Sequence, residues 1–173
     1  MRHIVIIAAA MAVAGCVAAP DAAHVPPVAV VAEVPPPPTL APAVASDDRA
    51  CLIAAMFYEA GGEGAEGLAA VGHVVLNRLD DRPPGTTICD VVYEKSQFGW
   101  TRKVARKDVA TVIGTTQRWQ NAAIMAEAVL TDTVKDPTGG AHSFYSVLQY
   151  RKKPRWAKNL DKTVRIGNHV FMK

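Results

Sequence analysis

Glu59 is the residue around which chemistry can be built. It closes an apolar helical run in the stretch MFYEAGGEGAEGLAAVGHVVLNR, Met56 to Arg78, and Gly61-Gly62 follow almost at once. A carboxylate at a helix C-terminus faces unpaired carbonyls and the negative end of the macrodipole, which disfavour its ionised form. Phe57, Tyr58 and the apolar residues before them can desolvate it further. Both effects raise a carboxyl pKa, as a general acid working near neutral pH requires. The glycines leave the backbone open to a bulky polymer. The competing reading of this local pattern is a solvated glutamate at a helix end.

Other residues could join or replace it. Glu63 is the nearest second carboxylate, though a charge favouring the start of the next helix explains it as well; Glu66 reads as surface. In SQFGWTRK, Gln97 offers a side-chain amide and Trp100 a flat aromatic face to a ligand, while Phe98 reads as core. In AHSFYSV, strand alternation sets His142 and Phe144 opposite Ser143 and Tyr145, with Tyr145 a candidate ligand contact. Arg78 is expected to hold carbonyls or an acidic neighbour. His73, His142 and His169 show no close ligand spacing such as His-Glu-x-x-His, so neither a metal nor another cofactor is expected. Ser143 lacks a glycine-flanked elbow, which argues against a serine hydrolase.

The stretch YEAGGEGAEGLAAVGHVVLNR resembles the signature of the SleB-like, spore cortex-lytic type of cell wall hydrolase, whose motif runs Tyr-x-Glu-Ala-Arg-Gly-Glu before a helix ending in Leu-Asn-Arg. YEKSQFGWT, DPTGGAHSFYS and RIGNHVFMK resemble the same family in the same order, and the four blocks cover nearly all of residues 51–173. The resemblance implies a lysozyme-like fold without metal. It implies cleavage of peptidoglycan glycan strands at N-acetylmuramic acid, with Glu59 as the catalytic acid. It also favours a lytic transglycosylase, which needs one carboxylate and leaves a 1,6-anhydro end, over a glycan hydrolase with a second carboxylate. Tyr58, Gln97, Trp100 and Tyr145 are the expected substrate contacts. Gly61 stands where the motif has arginine. A catalytically silent, wall-binding lipoprotein is therefore the rival reading.

These residues need a scaffold, and not all 173 residues can provide one. Residues 1–15 have a short positive start and an apolar run too short to span a bilayer, and read as a signal peptide. The run ends in VAGC, which resembles a lipobox and implies acylation of Cys16; ordinary secretory cleavage near Ala19 is the alternative. Acyl chains contribute about 0.8 kcal/mol per buried methylene to membrane anchoring. Residues 16–46 are built almost wholly of Ala, Val and Pro, a linker that cannot form a core. The catalytic domain is expected over residues 47–173, an α+β, mainly helical fold with a small antiparallel sheet near its C-terminus. It carries 18 Lys and Arg against 14 Asp and Glu. From Leu148 onward eight residues are basic and only Asp161 is acidic. For an exported chain this excess points to anionic wall polymer and lipid surfaces rather than nucleic acid. The expected partners are the glycan strand and a membrane reached through the lipid, with the protein a monomer in the cell envelope or periplasm. An activating envelope protein is compatible with that setting.

If Cys16 is lipidated, Cys51 and Cys89 are left either to pair in an oxidising compartment or to stay as two buried thiols. Pairing would close a loop of about 38 residues and contribute roughly 3–4 kcal/mol in the chain-entropy model. Helices are expected over Ser46–Ala60, about 65–78, 87–94 and 116–133, the last with Trp119, Ala123, Ile124, Ala126 and Val129 on its apolar face. AHSFYSV reads as a strand, and TVRIGNHVFM as two strands around a tight Gly167-Asn168 turn.

Overall fold

The computed structural model describes residues 46–112 and 114–173. The signal segment, Cys16 and all of the linker except Ser46 lie outside the described residues. Helix α1 spans Ser46–Ala60, α2 Gly64–Asp80, α3 Ile88–Val92 and α4 Gln117–Leu130; strands β1 Ser143–Ser146, β2 Lys162–Ile166 and β3 His169–Met172 close the chain. The expected α+β architecture, mainly helical with a late antiparallel sheet, is the one observed.

α1 is the central element. Asp47 and Asp48 favour its positive end, and Cys51, Leu52, Ala54, Ala55, Met56 and Ala60 are buried against the other three helices. The small residues of α2 allow close approach: a Cβ on Gly72 would collide with Met56 Cε. α3 starts in a capping box, Thr87 N–H donating to Asp90 at 2.9 Å and Asp90 N–H to Thr87 Oγ1 at 3.1 Å. Cys51 and Cys89 form a disulfide with Cα atoms 5.3 Å apart, tying α1 to α3. The pairing alternative for these cysteines is thus the one adopted.

α4 starts at the Thr116 cap and buries Trp119, Ala122, Ala126 and Val129. Ile124 is not part of that face and is 69% exposed. Five residues past Trp119 it lies about 140° around the helix, outside the buried stripe.

The sheet has order β1-β3-β2, all antiparallel. Its central strand β3 buries all four side chains. Gly167, with φ 53°, makes the turn between β2 and β3. The end of α2 holds the start of β1: Asn77 Nδ2 donates to Ala141 O at 3.0 Å and Arg78 Nε to His142 O at 2.6 Å. Asp136 braces the loop between, accepting from Thr138 and Gly140 N–H groups and from Asn77.

Candidate active site

The last turn of α1 delivers Tyr58 and Glu59 to a cleft of about 490 Å³ between the helices and the sheet. Glu59 and Arg78 line its depth. One wall carries Tyr58, Gln97 and Trp100, and the other Tyr145, Tyr150 and Trp156. Two adjoining hollows share residues with it, one Tyr58, Trp100 and Arg102, the other Arg78 and Gln97. Together they make an extended, open surface that includes Glu59, suited to a chain rather than a compact molecule.

Burial raises the Glu59 carboxyl to about 6, and the opposing pull of the Arg78 charge is the weaker effect. Half-buried at the end of a helix without a basic residue in its last turn, Glu59 can carry a proton near neutral pH. It is the one acidic residue lining the cleft among the described residues. Glu63 is not in the cleft. Its carboxylate accepts from Asn168 N–H at 2.8 Å and Asn168 Nδ2 at 3.0 Å, bonds that hold it below the usual carboxylate range. Glu66 is exposed on α2.

The four expected contacts, Tyr58, Gln97, Trp100 and Tyr145, all line the cleft. Tyr58 is 39% exposed and stacks on Trp100 with ring centroids 4.8 Å apart, so each ring spends one face on the other. Tyr93 braces Trp100 edge-on from behind at 5.8 Å. Gln97 follows Ser96, whose left-handed φ of 68° turns the chain at the rim. Phe98 is buried, with the Arg78 guanidinium 5.4 Å from its ring centre. On β1 both faces contribute, since Phe144 and Tyr145 each line the cleft. His142 points to a side hollow and meets Asp81 at 3.0 Å, while His73 bonds Val134 O at 2.9 Å.

Some cleft residues have no clear signal in the sequence. Trp156, 53% exposed, comes from a short 3₁₀ turn at Arg155–Ala157, and Tyr150 from the loop before it. A tryptophan set among five basic residues in the run RKKPRWAK was the available clue. Buried Arg78 Nη1, Trp100 Nε1 and His169 Nδ1 lack hydrogen-bond partners among the described residues, and all three side chains line the cleft. Such a cluster is unusual in a packed interior and common where a ligand completes the bonding.

The residue in place of the motif arginine has a neighbour of its own. Arg118 on α4 donates from Nε to Gly61 O at 2.9 Å and lies 5.7 Å from the Phe57 ring centre. A Cβ on Gly61 would collide with Phe57 O and come within 3.2 Å of the Arg118 guanidinium.

Residues 62–172 match the profile of the cell wall hydrolase family. The chain belongs to this family. The match begins at Gly62, just past Glu59. Two solved structures share its lysozyme-like fold. The catalytic domain of the Bacillus cereus SleB protein is 22% identical with a TM-score of 0.57, covering 78% of this chain and 95% of that one. The catalytic domain of the germination-specific lytic transglycosylase SleB from Bacillus anthracis is 22% identical with a TM-score of 0.58, covering 78% of this chain and 100% of that one. No curated protein shows significant similarity to the chain. Among the described residues of this cell wall hydrolase, no helix is long and apolar enough to cross a membrane.

Proposed function

We propose that this cell wall hydrolase cleaves peptidoglycan glycan strands at N-acetylmuramic acid as a lytic transglycosylase with Glu59 as its catalytic acid and base. The observation that carries this reading is a protonatable carboxyl lining an open cleft, with no second carboxylate lining it among the described residues. Neutral Glu59 donates its proton to the glycosidic oxygen as the C1–O bond breaks. The resulting carboxylate then takes the proton of the sugar's own 6-hydroxyl while that oxygen closes on C1. This forms a 1,6-anhydro ring and restores the acid, so no water is consumed. A hydrolase flanking the bond with two carboxylates would need a partner that the Glu63–Asn168 bonding argues against.

Tyr58 and Trp100 on one wall and Tyr145 on the other are read as sugar contacts, with Gln97 bonding an acetamido group. Residues 1–15 serve as signal peptide, Cys16 as the lipid attachment and residues 16–46 as spacer, so that a monomeric domain reaches the wall from a membrane of the cell envelope.

Mass analysis of products from purified peptidoglycan tests the reaction. Anhydro ends are expected. Reducing ends would mean a hydrolase, and co-sedimentation with the wall without soluble products would mean a silent binder.

A further inference from the structure

The cleft is charged in a way that Glu59 alone does not explain. Arg78 lines it beside Glu59, largely buried, and burial brings its guanidinium down to about 10, which still leaves it charged at neutral pH. Its Nε is spent on the His142 carbonyl at 2.6 Å, and Nη1 has no partner among the described residues. No carboxylate among them stands within ion-pair distance of it. Glu94, whose charge reaches it, is bound by Arg82 at 2.6 Å. Glu59 offsets the Arg78 charge only while it is ionised, and that counter-charge is lost when it takes up the proton it needs to work. Arg102 adds a second cation to the same cleft, and Glu59 is its only acidic residue among those described. An inward-facing guanidinium without a counter-charge is costly unless a ligand supplies one. Arginine's planar fork suits a carboxylate best.

We propose that Arg78 is the receptor for the free lactyl carboxylate of muramic acid, which makes the preferred substrate a glycan strand stripped of its stem peptides. This rests on the glycan-cleaving reading above. A strand that keeps its stems has each lactyl carboxyl consumed in an amide bond, which removes the charge at the sugar. The stems' own carboxylates lie several bonds farther out, beyond the reach of a group at the depth of Glu59. The exposed cations Arg151, Lys152 and Arg155 lie in the loop leading to Trp156 and suit a strand that is anionic along its length. Arg78 is a binding residue in this proposal, and Glu59 keeps the chemistry.

The test compares three soluble substrates on the full chain: uncross-linked strands with stems, strands stripped by an amidase, and stripped strands whose carboxylates have been converted to neutral amides with carbodiimide and ammonia. Product release is followed by mass spectrometry. Stripped strands are expected to show kcat/KM about tenfold above the other two, the scale of one charge-assisted hydrogen bond. Arg78→Gln should erase the difference and Arg78→Lys retain part of it. If Arg78→Gln fails to fold, the amide-capped arm decides with the unaltered protein. Equal rates on all three substrates would overturn the carboxylate receptor and leave strand cleavage standing. An absence of product from every substrate would overturn the glycan-cleaving reading itself.

Discussion

The Glu63 carboxylate grips Asn168 at both its backbone N–H and its side-chain amide, at 2.8 and 3.0 Å, across 105 residues of chain. The grip joins the α1–α2 junction to the turn between β2 and β3. Gly167 is part of it, since a Cβ there would overlap Glu63 Oε2. Glu63 therefore fixes how the sheet wall sits against the helix that carries Glu59. Its value is positional.

Glu63→Ala should accordingly cost stability more than chemistry. Losing a carboxylate with two bonds, partly exposed to solvent, is expected to cost about 1–2 kcal/mol. The melting temperature should fall by several degrees, with cleavage retained below it. Because the folded carboxyl is held below its ordinary value, its contribution is present above the unfolded pKa and lost as pH falls through the folded one. The gap between Glu63→Ala and the unaltered protein should thus narrow in acid, as thermal melts across pH would show.

Glu59 carries the opposite sign. Its folded pKa of about 6 lies above its ordinary 4.5, so ionising it costs the folded state stability as pH rises through that interval. The shift corresponds to about 2 kcal/mol, present in full above pH 6. Glu59→Gln should abolish product release and also melt higher than the unaltered protein at pH 8, with no such gain at pH 4. In the active protein, kcat/KM should decline as pH rises past about 6, because the proton donor is lost. A melting gain without loss of activity would remove Glu59 from the chemistry.

Arg118 gives α1 the cationic cap that its own last turn lacks. Arg118→Ala should loosen the Gly61 carbonyl and the turn that aims Glu59. The expected effect is a several-fold drop in kcat with KM nearly unchanged and a small loss of stability. Gly61→Arg should not rescue that variant. Its Cβ would still collide with Phe57 O, so thermal melts should show further destabilisation.

What the sequence made legible was local. The starts of α3 and α4 near Thr87 and Thr116, the Gly167-Asn168 turn and the helix-end position of Glu59 each depend on neighbours within a few residues, and those signals survive in the chain order. Ile124 shows the limit even there, because which stripe of α4 is buried depends on the position of α1. Trp156, Arg118 and the Glu63–Asn168 clamp belong to segments 57 residues or more from what they touch or face. Only packing brings them together. The free charge on Arg78 was likewise hidden, since whether an arginine finds a carboxylate is a question about three dimensions.

The disulfide gives a prediction that separates scaffold from site. Cys51 and Cys89 close a loop of 38 residues between α1 and α3, on the far end of α1 from Glu59. Reduction relaxes the unfolded chain and should lower stability by roughly 3–4 kcal/mol in the chain-entropy model. Both sulfurs sit in the buried core, so reductant should act slowly on the native protein and quickly once heat opens it. Melting in the presence of a strong thiol reductant should therefore shift downward by many degrees, while product release at low temperature stays close to that of the oxidised protein. Cys51→Ala/Cys89→Ala should reproduce the shift. An unchanged melting curve in both experiments would mean that the bridge contributes nothing to holding the helices together.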